Sequence, residues 1–399
     1  MLIHWIWLSQ LSGVTITQKL SLLEQFYDPE GVYEADEASL STVADMTPKA
    51  LERLGDKDLR NASAILDSCI RKQIGIVTIG DREYPAKLKN IHNPPLVLYY
   101  KGSLPDWEER PAIAMVGTRK ATTYGMQIAE KIGNQVAGCG ALVVSGGADG
   151  IDTQALIGAM QTGQPVVAVL GFGADVVYPA KNRELFEKIQ KQGCLITEYC
   201  PGTPANSWNF PQRNRIISGI ASGVVVIEAP ERSGALNTAR HAIEQGRDLY
   251  VVPGNINTPN CIGSNQLLRK HAVAVFEGWD VVQEYAPLYG GKLSHYTGQH
   301  SEVLQVAQTK TYPQVQPEIS DKKVVDNPQK YQYSVEDKPQ KNLTEEEKAV
   351  LAHLTAVPVP VDTVIDAVQL PAGKVLSILT MLAIKGVVLN HPGKRVSLK

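Results

Sequence analysis

Five short apolar runs, at 111–117, 141–147, 166–171, 223–228 and 248–254, each end on glycine or glutamate, and a helical stretch follows each of the first four, at 126–138, 153–162, 182–192 and 237–245. Strands that are apolar throughout, rather than at alternate positions, are buried on both faces. Their alternation with helices of about ten residues or more argues for parallel pairing through helical crossovers. The centre of the chain, 76–285, is therefore predicted to be a doubly wound α/β domain, whose ligands gather at the carboxyl ends of the strands.

The flanks read differently. Residues 1–75 carry helix start signals, such as Thr47 as a cap followed by Pro48 at the first helical position. Short helices with Gly-containing turns suggest a helix-hairpin-helix or SAM-like module, a type that binds DNA backbone or protein, or merely packs. Residues 286–343 are rich in Gln, Lys, Pro and Tyr without a period and are expected to be a flexible linker. From 344 order returns: Thr344 and Glu347 form a capping box, helices are expected near 361–368 and 371–384, and 386–389 with 395–398 read as a hairpin. Three helices and a hairpin make a winged helix over 344–399. Its third helix offers only Lys374 and Lys385 as cations, so protein docking is as open as DNA contact.

The net charge is −2, which confines any nucleic-acid site to a local patch. Five cysteines without a CxxC pair read as reduced thiols in a cytosolic protein, and a zinc site is not expected. The first residues lack the charged and cleavage regions of a signal peptide. No apolar run reaches the roughly 18 residues of a membrane span. A cytoplasmic protein without membrane contact is the expectation.

The strand-end loops carry the candidate site. Gly117-Thr118-Arg119-Lys120 follows the first run, and Ser145-Gly146-Gly147 closes the second. Glycine lets backbone NH groups face an anion without a Cβ in the way. Lys181 and Asn182 stand at the next helix start, where a lysine opposes the helix dipole and makes more sense facing an anionic ligand. Ser233 and Gly234 suit a further helix-start anion site. In Asn209-Phe210-Pro211-Gln212-Arg213-Asn214-Arg215, Pro211 suits a first helical turn, and two arginines offer forks matched to phosphate oxygens. The competing reading is that an arginine here is anchored to a carboxylate. Phe172, Tyr178, Trp208 and Phe210 lie near the basic positions as possible stacking platforms, Trp208 and Phe210 foremost.

Catalysis has little to stand on. No histidine lies in these loops, and no Ser-His-Asp or metal-ligand spacing is visible, so no catalytic residue, metal or cofactor is expected. The rival is an enzyme of the same architecture, a lysine-decarboxylase-like nucleotide phosphoribohydrolase, with Glu228 or Glu198 acting on the glycosidic bond. Against it stands the reading that Asp152 caps a helix and the glutamates pair with Arg213 or Arg215. A third reading is an adaptor with no nucleic-acid contact.

These loops, in this order, resemble the DNA-processing protein A family (DprA/Smf). The matching stretches are 117–125, 145–152, 178–182, 197–199, 210–217, 233–239, 252–254 and 263–265. The resemblance implies an extended Rossmann-like domain that binds single-stranded DNA, forms a homodimer and helps load the RecA recombinase during natural transformation. It implies DNA-binding positions at Arg119, Lys181, Arg213 and Arg215. The loop reading adds Gly117, Thr118, Ser145, Gly146, Asn182, Phe210, Asn214, Ser233 and Gly234. Thr118 departs from a common serine, and Leu156 stands where many members have histidine, so no role for that histidine transfers.

Overall fold

The computed structural model describes residues 2–270, 272–296, 344–355, 359–368, 370, 372–384, 387–391 and 395–398. The chain divides into two units, Met1–Pro313 and Gln314–Lys399. The first holds a nine-stranded sheet of β1 (Gly75–Thr78), β2 (Val97–Gly102), β3 (Ala112–Val116), β4 (Leu142–Ser145), β5 (Val166–Val169), β6 (Cys194–Thr197), β7 (Gly223–Val226), β8 (Asp248–Val251) and β9 (Val273–Ala274). The order is β1-β2-β6-β5-β4-β3-β7-β8-β9. From β6 to β9 all neighbours are parallel, while the β1–β2 hairpin joins β6 antiparallel.

The five apolar runs are β3, β4, β5, β7 and β8. Every residue of β3 to β7 is buried. Successive side chains point to opposite faces. Ile113 and Met115 therefore enter one core, under the helices Thr123–Gly138 and Ile151–Met160, and Ala112, Ala114 and Val116 enter the other, under Asn209–Ile220 and Gly234–Glu244. Four strands went unread in the sequence: β6, β9 and the β1–β2 hairpin. The chain steps outward from β3 through β4 and β5 to β6, then returns to the other side of β3 for β7. This reversal between β3 and β7 is the topological switch point of the sheet.

Residues 2–71 form six helices, Leu2–Gln10, Ile16–Phe26, Pro29–Glu34, Glu37–Ser41, Pro48–Gly55 and Arg60–Arg71. Thr15 and Gln18 close a capping box, and Thr47 caps the helix that Pro48 opens. Their core runs on into Leu96, Val97 and fully buried Tyr99, so this module packs on β2 within the same unit.

The linker boundary at 286 needs correction. A 3-10 turn at Gln283–Leu288 leads into residues that close the core: Leu293 is buried, and the Ser294 amide donates to Cys139 O at 3.1 Å. An apolar side chain in polar surroundings, Leu293, anchors a stretch whose composition alone reads as linker. The rest of the predicted linker, 297–343, lies outside the described residues, as does Lys385.

The second unit contains helices Glu345–Leu351, Val361–Ala367 and Ala372–Ile384. A three-stranded antiparallel sheet completes it, with β10 (Val359–Pro360), β11 (Val388–His391) and β12 (Arg395–Leu398) in the order β10-β12-β11. This is the winged-helix arrangement. Lys374 pairs with Glu346. No helix among the described residues is long and apolar enough to cross a membrane.

Candidate nucleic-acid interface

A crevice of about 430 Å³ opens at the carboxyl ends of β3 and β7. In open α/β sheets a ligand is expected at this switch point. Gly117, Thr118, Arg119, Lys120, Tyr178, Phe210, Arg213, Asn214, Arg232, Ser233 and Gly234 are among its lining residues. Eight of the positions singled out in the sequence thus converge: Gly117, Thr118, Arg119, Phe210, Arg213, Asn214, Ser233 and Gly234. The other five, Ser145, Gly146, Lys181, Asn182 and Arg215, do not line it.

The first loop is held from behind. The Thr118 amide donates to Glu228 O at 2.7 Å, and the Thr122 amide and hydroxyl donate to the two Glu228 carboxylate oxygens at 2.9 and 2.6 Å. Thr122 also caps the helix Thr123–Gly138. A Cβ at Gly117 would lie 2.5 Å from Cγ1 of Ile151, so the loop crosses the start of the helix Ile151–Met160 where only glycine fits. Arg119 emerges exposed, its guanidinium 4.6 Å from the Phe210 ring centroid. Such a contact is worth about 0.5–1 kcal/mol at an exposed site. Phe210 lies 5.7 Å from the Tyr178 ring, and both stand against Phe172, which is buried core rather than a platform. Tyr178 is half exposed, and Trp208 is 64% exposed.

Arg213 forms the floor, only 3% exposed. Its Nη1 donates to Gly146 O at 2.7 Å and to Val169 O, and its Nε donates to the Asn214 side-chain oxygen at 3.3 Å. Asp152 lies beside it, with hydrogen-bond partners in the Gly117 and Ala148 backbone. Burial pushes the Asp152 carboxyl up to about 6, against the pull of Arg213. Burial also draws the Arg213 guanidinium down to about 10, with Asp152 opposing the fall. The carboxylate expected to cap a helix instead helps fix the crevice floor. Arg213 gives the crevice a fixed positive field while its donors hold the ends of two strands together.

Several expectations are corrected here. Ser145 is fully buried and donates to Met115 O at 2.6 Å. Gly146 is small because a Cβ would lie 2.5 Å from the Asp152 carboxylate and 2.8 Å from Arg213 Nη2. Asn182 is buried and donates to Gly147 O at 3.1 Å and Thr153 Oγ1 at 2.8 Å. The Ser145 and Asn182 side-chain donors are thus tied to the protein itself, and the Gly146 carbonyl accepts from Arg213. Asn214, though on the lining, donates to Gly234 O at 3.2 Å. Arg215 faces away: it grips Glu198 with two bonds of 2.7 Å and donates from Nε to Asn93 O at 2.9 Å. Lys181 stands outside the lining, 63% exposed, 2.7 Å from Asp149. An exposed pair of this kind is worth about 0–1 kcal/mol and yields readily to a stronger anion. Both glutamates of the hydrolase reading are thus engaged, Glu228 by Thr122 and Glu198 by Arg215.

Two further cations line the crevice: Lys120, which the sequence shows beside the first turn but which was not counted among the binding positions, and Arg232, which was not singled out. Lys120 follows Arg119 directly, and Arg232 stands one residue before the Ser233 cap of the helix Gly234–Glu244. Both are exposed. A cation just ahead of a strand-to-helix cap was the signal that could have found Arg232. With Arg119 and Arg213 they make four cations in the lining, against the single carboxylate of Asp152. The Gly234–Glu244 helix also points its amino end into the crevice, which favours an anion.

The fold and crevice define a Rossmann-type protein with a cationic switch-point site. Residues 75–286 match the family described as DNA recombination-mediator protein A, and residues 335–394 match the DprA winged helix domain. Protein Smf of Synechocystis sp. is 35% identical over 276 residues, covering 68% of this chain and 69% of that protein. The DNA processing protein DprA of Streptococcus pneumoniae is 39% identical over 212 residues, 52% of this chain and 73% of that protein. The X-ray structure of DprA from Streptococcus pneumoniae superposes with a TM-score of 0.63 at 34% identity, covering 71% of this chain and 98% of that chain. The chain belongs to the DNA recombination-mediator protein A family.

Proposed function

We propose that the switch-point crevice binds the backbone of single-stranded DNA without sequence preference, as part of a DNA-processing role in natural transformation. The observation that carries this reading is the convergence of Arg119, Lys120, Arg232 and Arg213 at the carboxyl ends of β3 and β7. Phe210 and Tyr178 line the same crevice as stacking surfaces, and exposed Trp208 follows the lining residue Ser207 in the chain. Base–aromatic stacking contributes about 1–3 kcal/mol per base and tolerates any sequence. Duplex bases are already stacked on each other and cannot use those rings. The relatives' names as DNA processing proteins support the same reading. A salt-titrated binding assay tests it: affinity for oligothymidylate should fall with a logarithmic slope of about −0.7 per phosphate contacted. Duplex of the same length should bind more weakly at every salt concentration. Equal affinities, or a flat salt response, would sink the idea.

In this reading the protein is a non-catalytic, cytoplasmic homodimer that passes its strand to the RecA recombinase. The engagement of Glu198 and Glu228 in structural bonds supports the absence of glycosidic chemistry. One crevice spans only a few nucleotides, and two linked crevices would gain affinity through effective concentration. A chain cut after Tyr296, which keeps Leu293 in the core, should sediment as a dimer at micromolar concentration and retain most single-strand affinity. A monomer, or complete loss of binding, would overturn this division between core and winged helix.

A further inference from the structure

On the other flank of the helix Asn209–Ile220 lies a second cavity of about 520 Å³, walled by the helical module and by residues 93–97. Pro211 lines both this cavity and the crevice. Lys19 reaches the cavity wall, is only 7% exposed, and donates to Ser9 O at 3.0 Å. That bond uses one of its three donors. Among the described residues no carboxylate pairs with it, and burial draws its ammonium down to about 8. A buried ammonium held by one carbonyl is costly unless something neutralises it. Arg215 and Arg240 add two cations to the wall, and Glu198, already gripping Arg215, is the one carboxylate there. Arg215 is matched by Glu198, and Arg240 lies 3.7 Å from Glu244 in an exposed pair outside the wall, so Lys19 is the one buried cation there that no carboxylate pairs with among the described residues. Asn93, Gln212 and Asn237 supply amides around them. Burial lowers the pKa of His241, so near neutral pH it adds a neutral ring rather than a charge.

We infer that this cavity is a phosphomonoester site, with Lys19 as its buried cation and Arg240 at its mouth. A terminal phosphate is a dianion near pH 7 and could serve buried Lys19 and, in place of the exposed Glu244, Arg240 together, whereas a backbone phosphodiester carries one charge. The phosphate would belong either to a free nucleotide or to the 5′ end of a strand whose backbone crosses Pro211 from the crevice. The inference goes beyond the crevice reading, because the site uses none of the crevice cations.

Calorimetric titration of the full chain with thymidine 5′-monophosphate, beside thymidine, tests it. The monophosphate should bind and thymidine should not. Lys19→Met keeps the alkyl stem and should weaken monophosphate binding by about tenfold or more, the loss of one charge-assisted hydrogen bond. Exposed Arg240→Ser, which leaves the core untouched, should weaken it several-fold. Arg119→Glu should leave it unchanged, so failure here is separable from failure of the crevice reading. A second arm compares oligothymidylate with a 5′-phosphate and with a 5′-hydroxyl. A preference for the phosphate that Lys19→Met removes assigns the site to strand ends, and no preference assigns it to free nucleotides. Absence of monophosphate binding, binding unaffected by both cavity substitutions, or binding abolished by Arg119→Glu overturns the inference.

Discussion

Arg213→Ala is expected to destabilise the first unit by about 3–5 kcal/mol, the usual range for removing one partner of a buried charge pair. The substitution strands the buried Asp152 carboxyl and leaves the Gly146 and Val169 carbonyls without their shared donor. For a unit of this size the melting temperature should fall on the order of 10 °C. DNA binding should then be lost as the crevice floor loosens, in step with stability. Lysine at 213 should recover little, since a single ammonium cannot reproduce the fork. Thermal unfolding followed by circular dichroism checks this. A variant that melts with the native protein yet no longer binds DNA would make Arg213 a direct ligand contact instead.

Arg119→Glu is expected to do the opposite. The side chain is exposed and rests on the Phe210 ring, so its removal costs the fold little. Reversal replaces attraction by repulsion at the crevice mouth and should lower single-strand affinity by more than about tenfold at low salt, with the salt slope shallower by about 0.7. The loss should be uniform across sequences. Lys181→Glu should have a smaller effect, because Asp149 already offsets that charge and the residue lies outside the lining. If Arg119→Glu binds as tightly as the native chain, the crevice is not the DNA site.

The contrast between these arginines marks what the sequence could and could not disclose. The strands β3, β4, β5, β7 and β8 were legible because burial on both faces demands unbroken apolar runs. β6 was not, since its apolar run is only Cys194-Leu195-Ile196, set between a glycine and Thr197, where β5 continues apolar from Val166 to Leu170. The β1–β2 hairpin belongs to no βαβ unit, so the alternation that exposed the other strands did not reach it. At the site, residue type identified the loops, yet it could not tell a donor aimed at ligand from one tied to a carbonyl. Ser145, Asn182 and Arg213 look outward on paper and are bound inward. Helix geometry was a further overlooked clue. Residues two apart on a helix do not share a face. Arg213 and Arg215 could therefore never both reach one groove, and the Asn209–Ile220 helix sends them to opposite flanks.

Trp208 gives the protein an optical reporter of its own. Of the five tryptophans, Trp7 is buried and Trp5, Trp107 and Trp279 are partly shielded, which leaves Trp208 as the exposed indole, two residues from Phe210. Iodide should quench its emission selectively, and a base stacked on that ring should both shift the emission and shield it from the quencher. Occupancy of the crevice can then be followed in unlabelled protein at equilibrium and in a stopped-flow trace, without a dye that would itself compete for the aromatic surface.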